Sequence, residues 1–488
     1  MISRLAPTSV LLIFGAALRF AYLGSRSLWF DEALSLIGGT RPLALTRDFL
    51  LRCEVSPPLF SALMHAWLPF FADPRLGLRV FSALCGVAAL FAFRGLSERL
   101  LPPRARLLAL FLAAASSYWL HLAQDGRVYG LLSLIIVCEA RVALELTERP
   151  TRRLWAAYAA LGALGLYAHY YFGLILAAHA SWLLRHFRSS PRERKALILA
   201  HAAVAAAFLP WLPSFLIQFG MHRGDLAVGD PLTPRHLCGL IGTLFFDVTY
   251  LGLLLPAWFT PALGAGLLAG CAAGAARLAR RGGDADERRA LGFLLWHVVA
   301  FISLVGAAEL LCGRPVTQAR YFASIAPLLY LLLALVLSRP GRPAAVARLA
   351  VEALVLAGAV GYFVSGKIVD PRLDRLAASL QGSDRRLPLV YLETYYYLPM
   401  RYYYLPERPH FLVAEAAEGI DYRSLPPYDG VLGRERLSRL GPCVVLDEKR
   451  VLGGPARSIG TGAQVAALLE RSALGAKKIG RASCRERV

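Results

Sequence analysis

Hydrophobic residues fill the chain in long runs that short polar turns separate. A helix needs about 20 mostly apolar residues to cross the hydrocarbon core of a bilayer. Eleven runs come close enough to that length to predict membrane spans, which makes the fold class an α-helical polytopic membrane protein with about 11 transmembrane helices. The runs are 5–24, 76–96, 105–122, 127–146, 153–168, 171–185, 196–217, 257–276, 290–310, 321–338 and 346–366.

Arginine-rich clusters lie between these runs, and cytoplasmic loops carry an excess of Lys and Arg. With Arg4 also inside, every cluster is cytoplasmic only if residues 25–73 stay outside as one long loop. The stretch "LFSALMHAWLPFF" is then a helix on the outer surface, and residues 238–252 are a second outer surface segment. The clusters are 99–106, 149–153, 185–195, 277–289 and 339–348.

The composition changes after residue 366. Residues 367–476 hold nine of the twenty tyrosines and the β-like runs "LPLVYLE", "HFLVAE" and "CVVLDE". We therefore predict three parts: a transmembrane domain (1–366) whose first outer loop is 25–75, a small extracytoplasmic α/β domain (367–476), and a tail. The tail, "KKIGRASCRERV" (477–488), resembles a non-native read-through and carries no functional prediction.

The overall composition excludes two classes of protein. With 57% hydrophobic and only 18% charged residues, the chain does not fit a soluble enzyme. The net charge of +21 is compatible with nucleic-acid binding, but the arginines cluster between apolar runs, so no nucleic-acid partner is expected. The eight cysteines include no CxxC pair and indicate neither a disulfide framework nor a zinc finger.

Two acidic stretches fall in the predicted outer loop. "SLWFDEALSL" places Asp31 and Glu32 just after the first span, and "EVSPPLF" places Glu54 before a Pro-Pro pair. Adjacent helical residues point about 100° apart, so Asp31 and Glu32 cannot both face one substrate atom. Each acid also has a structural interpretation, because carboxylates are favoured in the first turn of a helix.

Three further turns bring cations and aromatic residues to the same predicted face. They occur in "QDGRVYG", "YAHYYFG" and "PVTQARYF" and supply Arg127 with Tyr129, His169 with Tyr170, and Arg320 with Tyr321. Each turn alone is typical of a snorkelling arginine or an interfacial tyrosine. Together with the acids they suit a substrate that has a phosphate and a polar acceptor. Arginine binds phosphate bidentately, and a carboxylate removes a proton from an acceptor.

These stretches resemble the C-type, polyprenyl-phosphate-sugar-dependent glycosyltransferases, a superfamily that includes the protein O-mannosyltransferases and the lipid A aminoarabinose transferase. The similar stretches are "LWFDEALSL", "SPPLFSALMHAWLPFFADPRLGLRVFSALCG", "AQDGRVYGLLSL" and "LYAHYYFG", over roughly residues 1–190, with a weaker similarity in "ARYFASIAPLLYLLLAL". The resemblance implies an inverting transfer of a sugar from a lipid-linked monophosphate donor to an extracytoplasmic acceptor (lipid, glycan or protein).

The resemblance also implies residue roles. Asp31 looks like the general base, Glu32 its supporting neighbour and Glu54 the second acid of the loop. The donor phosphate would meet Arg127 and Arg320, and the site would be lined by Tyr129, His169, Tyr170 and Tyr321. Some relatives have a basic residue before the proline motif, where this chain has Val55 and Ser56. Some also bind a divalent metal, for which Glu54 and His169 are the weak candidates, although neither shows ligand spacing.

Two other functions remain open. A transporter or flippase would place charges inside spans, as Glu139, Arg141, Glu309 and Glu352 are, but no internal repeat accompanies them. A non-catalytic envelope assembly protein would use the tyrosine-rich "ETYYYLPMRYYYL" to bind partners. The Ala-, Arg- and Leu-rich composition is typical of a GC-rich bacterium, which favours a bacterial inner membrane and an undecaprenyl carrier.

Overall fold

The structure is a computed structural model in which helices predominate. It describes residues 6–54, 56–221, 230–247, 255–280, 284–313, 315–339, 341–368, 373–380, 387–391, 397–413, 431–432, 439, 442–446 and 457–461. The predicted tail, 477–488, lies outside these residues. The chain divides into two compact units. The first is Met1–Leu23, Ser56–Leu63 and Trp67–Gly366, and the second is Gly24–Val55, Met64–Ala66 and Lys367–Val488.

Helices of the first unit follow one another through short turns, and several start with proline at the first helical position, where its missing N–H costs nothing. In chain order they are α1 (Pro7–Phe20), α4 (Leu59–Trp67), α5 (Pro74–Leu100), α6 (Pro103–Ala115), α7 (Ser117–Gln124), α8 (Tyr129–Glu148), α9 (Arg152–Ala168), α10 (Phe172–His186), α11 (Pro191–Phe208), α12 (Leu212–Met221), α13 (Pro234–Phe245), α14 (Phe259–Arg280), α15 (Ala285–Cys312), α16 (Ala326–Leu337) and α17 (Arg342–Ile368). Helices α2 (Phe30–Thr40) and α3 (Leu43–Arg52) belong to the second unit, as do Met64–Ala66 of α4 and the end of α17 from Lys367 on. Two short 3-10 helices, Leu68–Phe70 and Ala319–Ser324, complete the first.

Each of the eleven predicted spans coincides with a helix or with a pair of helices. By length and composition, four of the described helices can cross a membrane: Pro74–Leu100, Phe259–Leu278, Ala285–Cys312 and Arg342–Val364. The number rises to six if two bent pairs count as one span each, α6 with α7 (50°) and α11 with α12 (72°). Eleven spans stay a prediction, because several of the remaining helices are short or, like α8, carry acids and arginines.

The basic clusters meet at one end of the helical unit, where acidic side chains hold them together. Arg99, at the end of α5, pairs with Glu148 at the end of α8, and Arg289 near the start of α15 pairs with the same carboxylate at 3.1 Å. The Glu287 carboxylate accepts hydrogen bonds from the guanidinium groups of both Arg104 and Arg339. We call this the basic end. Helix α8 is 20 residues long, so its first residue lies about 30 Å from the basic end.

The second unit contains a five-stranded sheet, a group of helices and the segment 24–55. Its strands are β1 (Leu389–Tyr391), β2 (His410–Val413), β3 (Val431–Leu432), β4 (Pro442–Leu446) and β5 (Arg457–Thr461). They are arranged in the order β3-β2-β1-β4-β5, all parallel except β5, which pairs antiparallel with β4. Each of the three β-like runs predicted from the sequence contains one strand.

The segment 24–55 forms two helices, α2 (Phe30–Thr40) and α3 (Leu43–Arg52), and is fixed within this unit by C-terminal residues. The backbone N–H of Leu28 donates to the Tyr404 hydroxyl at 3.0 Å, and the N–H of Leu373, at the start of α18 (Leu373–Leu380), donates to Ser27 Oγ at 2.9 Å. Helix α2 also packs against the turn α19 (Tyr397–Pro399) and the π-helix Met400–Tyr404 that continues it. Residues 397–404 of the tyrosine-rich stretch therefore contact the helix that carries Asp31.

In the first unit, α1 and the bent pair α6 and α7 cap each other. The helical backbone is interrupted at Ser116, between α6 and α7. The last carbonyls of α6 therefore have no partners within the helix. The fully buried guanidinium of Arg19 donates to the carbonyls of Ala113 (3.0 Å) and Ala114 (3.3 Å). In return Gln124, the last residue of α7, donates through Nε2 to the carbonyls of Leu18 and Ala21, each at 2.8 Å, where α1 ends.

Arg19→Met should destabilise the protein strongly. The change removes the donors for two buried carbonyls, and each buried polar group left unsatisfied costs about 1–3 kcal/mol. We expect a loss of about 2–5 kcal/mol, seen as a lower thermal unfolding midpoint of the purified protein in detergent. Arg94→Gln is the control, because Arg94 is a partly exposed residue of α5 that pairs with the exposed Glu98, and it should change the midpoint little. Equal midpoints for Arg19→Met and wild type would contradict the capping role.

Candidate functional site

The predicted site residues of the first unit lie at the end of α8 remote from the basic end. Arg127 occupies the turn between α7 and α8, and only 7% of its surface is exposed. Its backbone carbonyl accepts a hydrogen bond from Ser82 Oγ of α5 at 3.0 Å. Gly130 permits this contact, because a Cβ there would lie 2.6 Å from the Ser82 carbonyl oxygen. The backbone around Arg127 is thus fixed against α5.

Aromatic rings surround His169, which lies in the turn between α9 and α10. Its ring centroid is 5.8 Å from Tyr129 and 5.2 Å from Tyr321. Tyr171 also contacts it, at 5.7 Å, and lies 4.5 Å from Tyr321 in a tilted arrangement. The structure therefore brings together four side chains from three separate parts of the sequence. We call Tyr129, His169, Tyr171 and Tyr321 the His169 cluster.

His169 is held in its neutral form. Its Nδ1 accepts a hydrogen bond from the backbone N–H of Tyr171 at 3.2 Å, which places the ring proton on Nε2. Burial, followed by the positive charges of Arg320 and Arg127, lowers the pKa of His169 from 6.5 to about 3. Arg320 and Arg127 thus both act electrostatically on one neutral imidazole.

Arg320 is oriented by neighbours on its own 3-10 helix. Its Nε donates to the Gln318 side-chain oxygen at 2.6 Å, and its guanidinium carbon lies 5.7 Å from the centre of the Tyr321 ring. The start of this 3-10 helix is anchored by Tyr118 of α7, whose hydroxyl donates to the Ala319 carbonyl at 2.7 Å. The bent helix that ends at the Arg127 turn therefore also holds the segment carrying Arg320.

Tyr170 makes a different set of contacts from its neighbours. Its hydroxyl donates to the side chain of Gln218 and accepts from the Trp211 indole at 2.9 Å, and its ring lies 4.8 Å from Phe215. These partners lie at or beyond the bend between α11 and α12. Sequence reasoning missed Tyr171 in the cluster, although "HYYFG" contains both tyrosines. Only the turn geometry decides which of them meets His169.

The acids of the predicted outer loop lie in the second unit. Helix α2 begins at Phe30 with Trp29 as its cap residue, which makes no side-chain capping bond, so Asp31 and Glu32 both fall in the first turn. Glu32 is 1% exposed, whereas Asp31 is half-buried. Glu54, which follows α3, is 6% exposed. Asp31 thus combines a favourable position near the helix N-terminus with access to solvent.

Metal ligands were predicted weakly for Glu54 and His169. Among the residues that the structure describes, no three His, Cys, Asp or Glu side chains are grouped so that they hold a metal ion. Neutral imidazole is a good metal ligand, but His169 has guanidinium groups as charged neighbours, which disfavour a further cation. The geometry instead suits an anion, because Arg127, Arg320 and the Nε2–H of His169 are all donors.

Residues 55–213, about a third of the chain, match the model of the dolichyl-phosphate-mannose-protein mannosyltransferase family. The segment includes Arg127, Tyr129 and His169. The resemblance seen in the sequence is thereby confirmed. No curated protein sequence matches the chain.

Two solved structures extend the similarity to nearly the full length. ArnT from Cupriavidus metallidurans in the apo state is 14% identical, and the match covers 91% of this chain and 93% of that one with a TM-score of 0.55. The same protein bound to undecaprenyl phosphate is 15% identical over 92% and 95%, with a TM-score of 0.58. At these identities the similarity shows the fold. Together with the apolar helices, it indicates a multi-pass membrane protein with a C-type glycosyltransferase fold.

The lowered pKa of His169 predicts a pH-dependent stability that His169→Gln removes. Because the imidazole titrates near 6.5 in the unfolded chain and near 3 in the folded one, the unfolded chain binds more protons between these values. Stability should fall as pH drops below 6.5, with His169 contributing up to about 2 kcal/mol of the loss by pH 5. The measurement is the unfolding midpoint at pH 7 and pH 5 for both proteins. Identical pH dependence would contradict a neutral, buried His169.

Proposed function

We propose that the protein is a membrane glycosyltransferase that transfers a sugar from a polyprenyl-phosphate-linked donor to an extracytoplasmic acceptor with inversion. The observation that carries the proposal is the convergence of Tyr129 and Tyr321, the neighbours of the two arginines in segments far apart in sequence, on neutral His169 at the end of the helical unit remote from the basic end. The family match, which includes Arg127 and His169, supports sugar transfer from a lipid phosphate. The solved neighbour that binds undecaprenyl phosphate supports a polyprenyl carrier.

The transfer needs one displacement at the anomeric carbon. Asp31 removes the proton from an acceptor hydroxyl or amine as its oxygen or nitrogen bonds to that carbon. The bond between the anomeric carbon and the phosphate oxygen breaks at the same time, and the electron pair leaves with the polyprenyl phosphate. Attack from the face opposite the leaving group inverts the configuration. The proton stays on Asp31 until solvent removes it.

Arg127 and Arg320 stabilise the charge that grows on the departing phosphate. Guanidinium groups bind phosphate oxygens bidentately, and they help most when they are already fixed before the reaction. The Ser82 bond to the Arg127 carbonyl and the Gln318 bond to the Arg320 side chain supply that fixing. His169 adds an Nε2–H donor to the site. Because it is neutral, it adds no third positive charge, which would repel the two arginines when no donor is bound.

Asp31 and Glu32 take different roles because their exposures differ. A general base must reach the acceptor, and Asp31 is the acid of the pair that is half-buried rather than buried. Glu32 is enclosed and positions α2, while Glu54 is the second acid of the segment. The tyrosine-rich stretch packs on α2, and this structural role inside the protein argues against the alternative of a partner-binding assembly protein.

The orientation in the membrane follows from the charges. Arginines concentrate at the basic end, and the positive-inside rule places such an end in the cytoplasm. The His169 cluster then faces the extracytoplasmic side, where a lipid-linked donor works without a nucleotide. The odd number of predicted spans puts residues 367–476 on that side too. For a bacterial chain, the membrane is the inner membrane.

One observation favours the second candidate, a transporter. Of the four charges predicted inside spans, Arg141, Glu309 and Glu352 have partners, in Glu145, the Leu232 N–H and Arg348. Glu139 of α8 is fully buried, and neither carboxylate oxygen has a hydrogen-bond partner among the described residues. Buried acids of this kind occur along proton and ion pathways.

Asp31→Asn should abolish sugar transfer while leaving donor binding nearly unchanged. Loss of a general base typically costs about 100- to 10,000-fold in rate. The measurement is single-turnover transfer from a polyprenyl-phosphate sugar, with purified membranes supplying acceptors. Asp48→Asn is the matched control, an exposed acid of α3 in the same unit, and should stay within about twofold of wild type.

A near wild-type rate of sugar transfer for Asp31→Asn would overturn the mechanism.

Glu139→Gln separates the two candidate functions, because a glycosyltransferase needs no charge at position 139 of α8. If solute flux exists and Glu139→Gln abolishes it while Asp31→Asn does not, the protein is a transporter.

Arg127→Gln and Arg320→Gln should weaken use of the donor. Each removes a bidentate phosphate contact, and we expect kcat/KM for the donor to fall about 10- to 100-fold. Lysine in place of either arginine should recover only part of the loss, because a point charge does not reproduce the fork. Arg235→Gln, an exposed arginine of α13, is the control. Unchanged donor kinetics in both variants would exclude the phosphate role.

A further inference from the structure

A second candidate binding site lies at the basic end, away from the His169 cluster. It is a pocket of about 310 Å³ lined by Trp182, Arg185, His186 and Arg188, where α10 ends. We call it the Arg185 pocket. It belongs to the same helix as the His169 turn but to the opposite end of that helix, 15 residues or about 22 Å away. It therefore takes no part in the proposed sugar transfer.

The charge of the Arg185 pocket is of one sign. A neighbouring pocket of nearly equal size, about 320 Å³, provides the comparison, since it is lined by arginines and acids together. There Arg99 and Arg289 both pair with Glu148. Among the residues that the structure describes, Arg185 and Arg188 form no ion pair with an acid. The basic end thus neutralises its arginines in one pocket and leaves them exposed in the next.

Two tryptophans lie at the Arg185 pocket: Trp182 lines it, and Trp296 lies beside Arg185. The Arg185 guanidinium lies 5.3 Å from the centre of the Trp296 ring, and Trp182 lies 6.1 Å from Trp296. Trp296 donates its indole N–H to Ser181 Oγ at 2.9 Å, while the buried indole N–H of Trp182 has no partner in the described part of the chain. Tryptophans of this kind lie at the level of lipid headgroups.

We propose that the Arg185 pocket binds the phosphodiester headgroup of an anionic phospholipid. Basic pockets between transmembrane helices bind such headgroups on the cytoplasmic side. The volume equals about ten water molecules at roughly 30 Å³ each, which matches a phosphoglycerol group of about the same number of heavy atoms. Arg185 and Arg188 contact the phosphate, the Trp182 N–H donates to a headgroup oxygen, and the acyl chains follow the apolar surface of α10.

A lipid fits better than a free phosphate because of where the pocket lies. Trp182 lines it, Trp296 lies beside Arg185, and the pocket is at the end of the apolar helix α10, so a ligand with an apolar tail gains contacts that inorganic phosphate does not. The bound lipid would fix α10 against α15 at the basic end.

The test measures binding of phosphatidylglycerol to the purified full-length protein. Native mass spectrometry counts retained lipids, and the unfolding midpoint in detergent is followed against short-chain phosphatidylglycerol, phosphatidylcholine or inorganic phosphate. Arg185→Gln/Arg188→Gln is the test variant, and Arg192→Gln/Arg194→Gln is the matched control with the same charge removed from the start of α11. Trp182→Phe, which keeps the ring and removes the N–H donor, is a second variant.

Wild type and the control should retain phosphatidylglycerol, and the test variant should bind it about 10- to 30-fold more weakly. Trp182→Phe should weaken binding less. Asp31→Asn should bind the lipid like wild type, so failure of the sugar-transfer proposal leaves this result intact. Equal binding by the test variant and wild type, an equal loss in the control, or equal stabilisation by phosphatidylcholine or by inorganic phosphate would overturn the proposal.

Discussion

The reciprocal capping of α1 and the bent pair α6–α7 is the constraint on which the first unit depends. A helix that breaks among apolar residues exposes carbonyls that neither lipid nor side-chain methyl groups can satisfy. Arg19 and Gln124 satisfy both sets at once, and the Tyr362 hydroxyl donates to Gln124 Oε1 at 3.1 Å to hold that amide in place. Ser116 completes the bend by donating to the Leu244 carbonyl at 3.1 Å. The direction of α7, and with it the Arg127 turn, follows from these bonds.

The second unit solves a related problem, which is how to order a segment that follows a membrane helix. Residues 24–55 form a segment too short to build a hydrophobic core alone, and the bonds to Tyr404 and Leu373 connect them to residues more than 300 positions later. Burial and nearby arginines act in opposite senses on Tyr402, where burial raises the pKa of the phenol and Arg401 and Arg41 partly lower it. The Tyr402 phenol therefore lies near two positive charges in this unit.

Sequence alone predicts the parts of this protein whose signal is local. The apolar runs locate the helices, and "LPLVYLE", "HFLVAE" and "CVVLDE" locate three strands, because length and alternation are properties of short segments. The sequence does not reveal that the span predicted at 105–122 bends at Ser116, since no proline or glycine marks the bend and its stabilising donors lie on α1. It likewise leaves open whether Tyr170 or Tyr171 joins His169, because the φ and ψ angles of one turn decide that choice.

The two ends of the helical unit differ in the side chains that surround their arginines. At the basic end Glu148 and Glu287 each serve two arginines, so those arginines stabilise the helix ends and need no ligand. Around His169 the side chain that orients Arg320 is the neutral amide of Gln318, and the imidazole gives up its proton instead of balancing the arginines. Under the proposed function, the neutral imidazole adds a hydrogen-bond donor to this site without adding a positive charge. Arginine therefore has a structural role in the ion pairs of the basic end and, under the proposed function, a ligand-binding role beside His169.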